Sequence, residues 1–454
     1  MAIIIKNACI ITCDNNAVIP DGFLEIEDGK IARVGKMSDI GAICAAHGVR
    51  REIAAAGRIV MPGFINAHMH LYSQFARGLA VSRMTSFLEV LEGLWWRLDK
   101  ALVLEDVYYS GLLGLIEAIK AGATTVIDHH ASYGCTKGSL LELTKAFNKT
   151  GVRGALCYEV SDRHGEKACE EAIAENIDYC SSEGLRHVVQ GETENQSLLR
   201  SMFGLHASLT LSPATLKKVC RANEKLNLPY HIHTAEGPED LKDAKKRYKK
   251  TVVGRLHDEG ILTKGTIAAH CIHVNDKDTA LLKKSGAFVV HNPVSNMNNA
   301  VGTAPYLDMC EAGVPVGIGT DGMSAGIFAD VGAASVLHKK AAGNPQAGWC
   351  EVQKSTLDTN PAIASALFGG EIGKLKPGSE ADVIIADYIP CTEVNSDNYW
   401  GHILFGVINS RIHTTIAAGR VLMEDYKLAG IDEASIIKEA SKLSAAVWNR
   451  FKKG

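Results

Sequence analysis

The sequence predicts an α/β fold: a TIM-like (β/α)8 barrel joined to a small β-sandwich domain built from both chain ends. Three observations predict it. Short apolar runs alternate with helical stretches through residues 59–370, β-like runs with tight turns flank that middle on both sides, and nearly every apolar run in the middle ends in a histidine or an acid. Alternating strands and helices in this number are the plan of a parallel barrel, which typically needs roughly 250 residues. An open doubly wound sheet is the weaker alternative, because no Gly-x-Gly-x-x-Gly follows any strand.

Taken in order, residues 3–13, 22–27 and 31–34 read as short strands parted by Asp14-Asn-Asn16 and Glu27-Asp-Gly-Lys30, the latter a hairpin turn. The same texture returns in Gly373–Asp387 and in Ile412–Ala417 with Gly419–Asp425. Residues 1–58 and 371–428 are therefore expected to form one small composite β domain around a barrel at 59–370. The barrel strands expected are Ile59–Ile65, Thr124–Ile127, Val152–Cys157, Met202–Leu205, Pro229–Ile232, Thr266–Ala269, Ala287–Val290 and Val314–Ile318. Helical spacing lies between them, as in Leu104–Ala121, Leu140–Lys149, Pro213–Leu226 and Lys277–Lys284. Residues 429–454 carry a further helical run, Ile436–Phe451, expected to pack on the surface.

A chain of 454 residues with 46% hydrophobic and 22% charged residues has enough apolar surface for a large domain and a smaller one. A net charge of −3 gives no general attraction to nucleic acid or anionic membrane, and no apolar run is long enough to span a bilayer. The N-terminus starts directly with strand-like residues rather than a leader. The 12 cysteines include no Cys-x-x-Cys pair, and Cys157 and Cys271 sit inside apolar runs. Reduced thiols and a cytoplasmic location are expected.

A parallel barrel carries its chemistry at the C-terminal ends of its strands. Those ends read His68 and His70; Asp128, His129 and His130; Glu159; His206; His231 and His233; His270; His291; and Asp321. Alternation along a strand points His68 and His70 to the same side, and two converging imidazoles are half of a metal site. His233 and Asp321 supply the rest: three imidazoles and a carboxylate suit one divalent transition metal with a position left for water. Glu236, three residues past His233, puts a carboxyl beside that water. His231 is expected one layer deeper, as a structural residue. Of the Asp128–His130 run, one member is expected to face the pocket while the others hold loops. Asp162 and Arg163 are expected to pair across a turn, and Trp95 and Trp96 to pack on a helix.

With these residues assembled, the chain resembles the amidohydrolase superfamily, in its chlorohydrolase and aromatic deaminase (ATZ/TRZ-like) branch. The resemblance rests on Pro62-Gly-Phe-Ile-Asn-Ala-His-Met-His70, His233-Thr-Ala-Glu236, Ala269-His-Cys271, His291-Asn-Pro-Val-Ser-Asn-Met-Asn298 and Gly319-Thr-Asp-Gly322, and it covers nearly the whole chain. Gly373-Lys-Leu-Lys-Pro-Gly-Ser-Glu-Ala-Asp382 matches the family's signature in its small β domain. Leu94-Trp-Trp-Arg-Leu-Asp99, Val126-Ile-Asp-His-His-Ala-Ser132 and Ser295-Asn-Met-Asn-Asn299 look most like the SsnA-type aminohydrolases. The resemblance implies metal ligation by His68, His70, His233 and Asp321, with catalytic roles for Glu236, His270 and Asp321. It implies one metal ion per chain, zinc first, with iron(II) or manganese(II) as alternatives, because the fourth strand's end offers no lysine to bridge a second. His206, Glu159, His129, His291 and Asn296 are expected to contact substrate. One departure is Asn298, which stands where many deaminases of the branch carry lysine.

The expected reaction is hydrolysis. Metal-activated hydroxide attacks an sp² carbon of a purine-like heterocycle, Asp321 accepts the water's proton, Glu236 delivers one to the substrate, and ammonia leaves. Opening of a cyclic amide or ureide is the alternative enzyme, and a non-catalytic metal-binding scaffold the alternative from another class. The intact Glu236 and His270 argue against a scaffold, which needs only ligands. The partner expected is a small heterocyclic molecule; a homodimer is one assembly left open.

Overall fold

The computed structural model describes residues 2–41, 51–181 and 198–453. Residues 1, 42–50, 182–197 and 454 of the expected domains lie outside the described residues.

The middle of the chain folds into two parallel arcs. One holds Phe64–Met69, Ala123–Asp128, Arg153–Leu156 and Leu199–Ser201; the other holds Phe203–Ala207, Tyr230–Thr234, Ile267–His270, Phe288–His291 and Val316–Ile318. Parallel bridges from Met69 to Asp321 and from Val160 to Leu205 join the arcs at both seams. Leu199–Ser201 and Phe203–Ala207 are halves of one strand that changes partner at Met202: its N–H goes to Leu156, while the next goes to Pro229. Counting those halves as one, the ring has eight parallel strands, the plan of a TIM-like barrel. These strands are short apolar runs because both faces are covered, inside by each other and outside by helices.

The expected first strand, Ile59–Ile65, is two strands. Ile59–Pro62 pairs with Ile3–Ile11 and Val383–Ala386 in a different sheet, and Phe64–Met69 begins the barrel. The break falls at Gly63, whose N–H goes to Asp382 while the next goes to Gly122. A Cβ at Gly63 would lie 2.2 Å from the Thr124 side chain, so only glycine lets the chain cross here.

That other sheet has nine strands, drawn from Ile3–Ile11, Val18–Glu27, Lys30–Lys36, Arg51–Ala54 and Ile59–Pro62 at one end of the chain and from Val383–Ala386, Ile412–Ala417, Arg420–Glu424 and Lys427–Leu428 at the other. Ile5, Leu24, Val60, Val383 and Ile416 form its own apolar core. Buried Arg153 on the third barrel strand reaches Asp382 and Glu380, each at 3.3 Å, and so locks the sheet to the barrel. Helix Glu433–Lys453 starts earlier than expected and lies over Trp96–Ala101 and Leu104–Lys120. Trp448 Nε1 donates to Phe75 O at 2.7 Å, and Arg97 donates back to Phe451 O at 2.7 Å. No helix of the described residues is long and apolar enough to cross a membrane.

Candidate active site

His68 and His70 leave the first strand on the same side, as alternation requires, and meet His233 from the fifth strand and Asp321 from the eighth. Backbone carbonyls fix two of these rings. His70 Nδ1 lies 2.5 Å from His129 O and His233 Nδ1 lies 3.0 Å from His206 O. A carbonyl only accepts, so both Nδ1 atoms carry the hydrogen and both Nε2 atoms present lone pairs. Those lone pairs face each other at 3.1 Å, and His70 Nε2 is 2.9 Å and His68 Nε2 3.3 Å from Asp321 Oδ1. Lone pairs converging on an anionic oxygen fit a cation and little else. The same field draws a proton to His70: burial pushes its imidazole down, but Asp321 outweighs that and raises it to about 9, so a metal ion bound here would take the place of the proton on Nε2. Burial also disfavours charge on Asp321, yet His68 and His70 keep its carboxyl well below the usual range. Donor atoms of His68, His233, His270 and Asp321 all lie within 4.8 Å of one another. His231 sits beneath, its Nε2 2.8 Å from His68 Nδ1.

Glu236 and His270 stand beside this set. Glu236 follows the fifth strand through a left-handed Ala235 (φ 49°), and its Oε2 is 3.6 Å from His270 Nε2. Burial, then the nearby charges of Asp321, Asp240 and Glu159, raise the Glu236 carboxyl well above its usual range, the direction a proton-transferring carboxyl needs. His270 Nδ1 lies 2.8 Å from Asn296 Oδ1, which leaves its Nε2 lone pair aimed into the site. Ser295 donates to Asp321 Oδ2.

The cavity above these groups is narrow, about 40 Å³, with Tyr72, Phe87, Trp95 and Trp96 among its walls. Its acidic flank is Glu159, fully buried and ion-paired to Arg163, which also donates to Asp99 at 2.5 Å. Burial opposes ionisation of Glu159, but His206 and Arg163 beside it hold its carboxyl well below the usual range.

Of the residues expected to contact substrate, Glu159 and His206 line this cavity, whereas His129, His291 and Asn296 do not. His129 lies under the ligand layer, with Nε2 3.0 Å from Leu205 O and 3.1 Å from His231 O. His291 turns outward: its Nε2 is 3.1 Å from His338 Nε2, and its ring stacks on Tyr306. Asn296 serves His270 instead. Two other expectations change. Asp162 does not pair with Arg163; it accepts from Ser212 N and Thr215 Oγ1, both at 2.6 Å, at the start of helix Pro213–Asn223. Trp95 and Trp96 face the cavity as well as packing on their helical segment. Sequence reasoning missed Arg163 and Asp99 as site residues. The i, i+4 spacing of Glu159 and Arg163 was the available signal.

Residues 59–422 match the amidohydrolase family profile. The chain is 34% identical over 450 residues to a 5′-deoxyadenosine deaminase of Methanosarcina mazei, covering 97% of each chain. It is 28% identical to a 5-methylthioadenosine/S-adenosylhomocysteine deaminase of Desulforudis audaxviator, covering 97% of this chain and 98% of that one. A zinc-bound adenosine deaminase structure from Xanthomonas campestris superposes with a TM-score of 0.83 at 21% identity, covering 100% and 99% of the two chains, a likeness of fold. Profile, relatives and fold agree: this chain belongs to the amidohydrolase family.

Proposed function

We propose that the chain is a metal-dependent aminohydrolase that deaminates a purine-like heterocycle, an adenine nucleoside altered at its 5′ position, and releases ammonia. The observation that carries this reading is the meeting of the Glu236 carboxyl and His270 Nε2, 3.6 Å apart, beside the converging donor atoms of His68, His233 and Asp321. The names of the Methanosarcina and Desulforudis relatives support the purine class.

His68, His70, His233 and Asp321 would hold one divalent ion; zinc is favoured by the Xanthomonas structure, and the N and O donors also suit iron(II) or manganese(II). Such an ion supplies hydroxide near neutral pH by lowering the pKa of water. His270 Nε2 accepts a hydrogen bond from the attacking water and orients it toward the ring carbon. Asp321 takes up the water's proton while Glu236 delivers its own to the ring nitrogen. As the intermediate collapses, Asp321 returns its proton to the departing amine and Glu236 recovers one from the new hydroxyl, so ammonia leaves and both carboxyls are restored. The aromatic walls exclude bulk water and stack on the ring, while Glu159 and His206 offer polar contacts to substrate. We read residues 1–58 and 371–428 as an accessory β domain, 59–370 as the hydrolase domain and 429–454 as a helix covering it. The cysteines described are free rather than disulfide-bonded, which favours a cytoplasmic location.

Ammonia release tests the reaction. Incubated with a panel of purine nucleosides, the metal-loaded protein is expected to give one ammonia per substrate consumed. Substrate loss without ammonia would indicate ring opening and overturn the reading.

A further inference from the structure

The turn that carries Glu236 and the loop that carries His206 leave neighbouring strands, the fifth and the fourth. One buried side chain touches both. Asp240, in the first turn of helix Pro238–Tyr248, accepts from Leu209 N at Oδ1, 2.8 Å away, and from Ala235 N at Oδ2, 3.2 Å away. A carboxylate that merely caps its own helix takes the N–H of the residue at the cap position. Gly237 holds that position here, and Asp240 reaches past it to two different strand ends.

Both grips fall on the geometry of the site. Ala235 directly precedes Glu236, and its left-handed backbone is one that alanine keeps only where the surroundings impose it. Leu209 belongs to the short turn Ser208–Thr210, and Thr210 Oγ1 lies 2.6 Å from His206 Nδ1. The Thr210 hydroxyl donates to Ala207 O at 3.2 Å, so its oxygen accepts from His206, and the ring follows the turn. A buried cation holds the same turn. Arg255, 1% exposed, donates to Ser208 O at 2.6 Å, Ser208 Oγ at 2.7 Å and Leu211 O at 2.6 Å. The turn's N–H therefore goes to a buried anion and its carbonyls to a buried cation, and loss of either leaves backbone groups unpaired away from water.

We infer that Asp240 is a positioning residue: it fixes the Glu236 turn and the His206 turn in one register, and Arg255 is a second anchor of the His206 turn only. The inference rests on the aminohydrolase reading above, in which Glu236 moves the proton and His206 contacts substrate. His206 then places the substrate, and Asp240 sets where the Glu236 carboxyl stands relative to it. Slippage between the two strand ends appears as lost proton transfer rather than lost binding.

The test pairs Asp240→Asn with Arg255→Lys. Asparagine keeps the size but offers one acceptor oxygen, so it serves only one of the two N–H groups, and whichever it keeps, the register is lost. Lysine keeps the charge but cannot span Ser208 and Leu211 with a single nitrogen. Metal-loaded variants and wild type are compared in ammonia release from the nucleoside that wild type turns over best, and in amide hydrogen exchange by mass spectrometry, which needs no substrate. Asp240→Asn is expected to lower kcat by about tenfold to hundredfold. Arg255→Lys is expected to raise KM by about threefold to tenfold with a smaller change in kcat. Exchange should quicken at Leu209, Ala235 or both in Asp240→Asn, and at Leu209 but not Ala235 in Arg255→Lys. An Asp240→Asn protein that melts lower yet keeps wild-type kcat makes the carboxylate merely structural and overturns the positioning role. A fall in kcat in Arg255→Lys as large as its rise in KM overturns the assignment to Asp240, even should Asp240→Asn not fold. Should wild type deaminate no nucleoside, the aminohydrolase reading fails by itself and exchange decides the clamp, which unaltered exchange at both Leu209 and Ala235 in Asp240→Asn overturns.

Discussion

Arg163 is the cation that makes the acidic wall of the cavity tenable. It is buried between Glu159 and Asp99, so replacing it with methionine would leave both buried carboxylates without their guanidinium, with only His129 beside Glu159 and His164 beside Asp99. Breaking a buried ion pair in this way costs about 3–5 kcal/mol. Denaturant unfolding of Arg163→Met is expected to show a loss of that size, and an unchanged midpoint would mean that solvent already serves the pair. A second residue carries a pH signature. Asp330, in the first turn of helix Ile327–Ala342, accepts from Val294 N at 3.1 Å, and burial pushes its carboxyl up to about 8. The unfolded chain releases that proton near pH ~3.9. Between those values the folded state binds the extra proton, so stability falls as pH rises from about 4 through about 8. Asp330→Asn should flatten that slope, as measured by urea midpoints across the range; an unaltered slope would place the titration elsewhere. The role of Asp330 was not visible in the sequence, and for Arg163 only its i, i+4 spacing from Glu159 was, because Asp99 becomes its partner only when the fold supplies it.

Strands carry the geometry of the site, and small residues let them close. At Gly319, just before Asp321, an added Cβ would sit 2.7 Å from His68 O and 2.8 Å from His68 N. Gly319→Ala should therefore push the eighth strand off the first at the metal-binding end. Overpacking of this kind costs about 1–3 kcal/mol. Metal affinity should fall as well, because the variant separates Asp321 from His68 and His70. A variant with native metal content and melting temperature would show that the seam tolerates the shift. The barrel strands were legible because runs buried on both faces are continuously apolar and end abruptly in polar residues. The break at Gly63 was not, since Ile59–Ile65 stays apolar straight through the crossing from one sheet to the other. His291 misled for a related reason. The end of a strand gives the position of a side chain but not its turn toward His338 rather than the cavity.

At the scale of the whole molecule, both chain ends are drawn into one sheet, and Arg153 ties that sheet to the barrel through Asp382 and Glu380. The Ser379-Glu-Ala-Asp382 segment, which read as a distant signature, is thus a structural clamp on the third barrel strand. The donor set exists only when the first, fifth and eighth strands are closed, so a metal that binds there stabilises the folded state by mass action. Chelation is expected to lower the melting temperature of the wild type and to leave that of a His70→Ala/His233→Ala variant nearly unmoved. Equal shifts in both would place the stabilising ion elsewhere. The central claim is that Glu236 moves protons and does not hold the metal, and Glu236→Gln tests it most directly, because glutamine keeps the shape and removes the titratable group. Metal content and ammonia release should be measured on the same preparation. The account predicts metal content equal to wild type with turnover lower by about 10²–10⁴-fold. Wild-type turnover with the metal retained would contradict it.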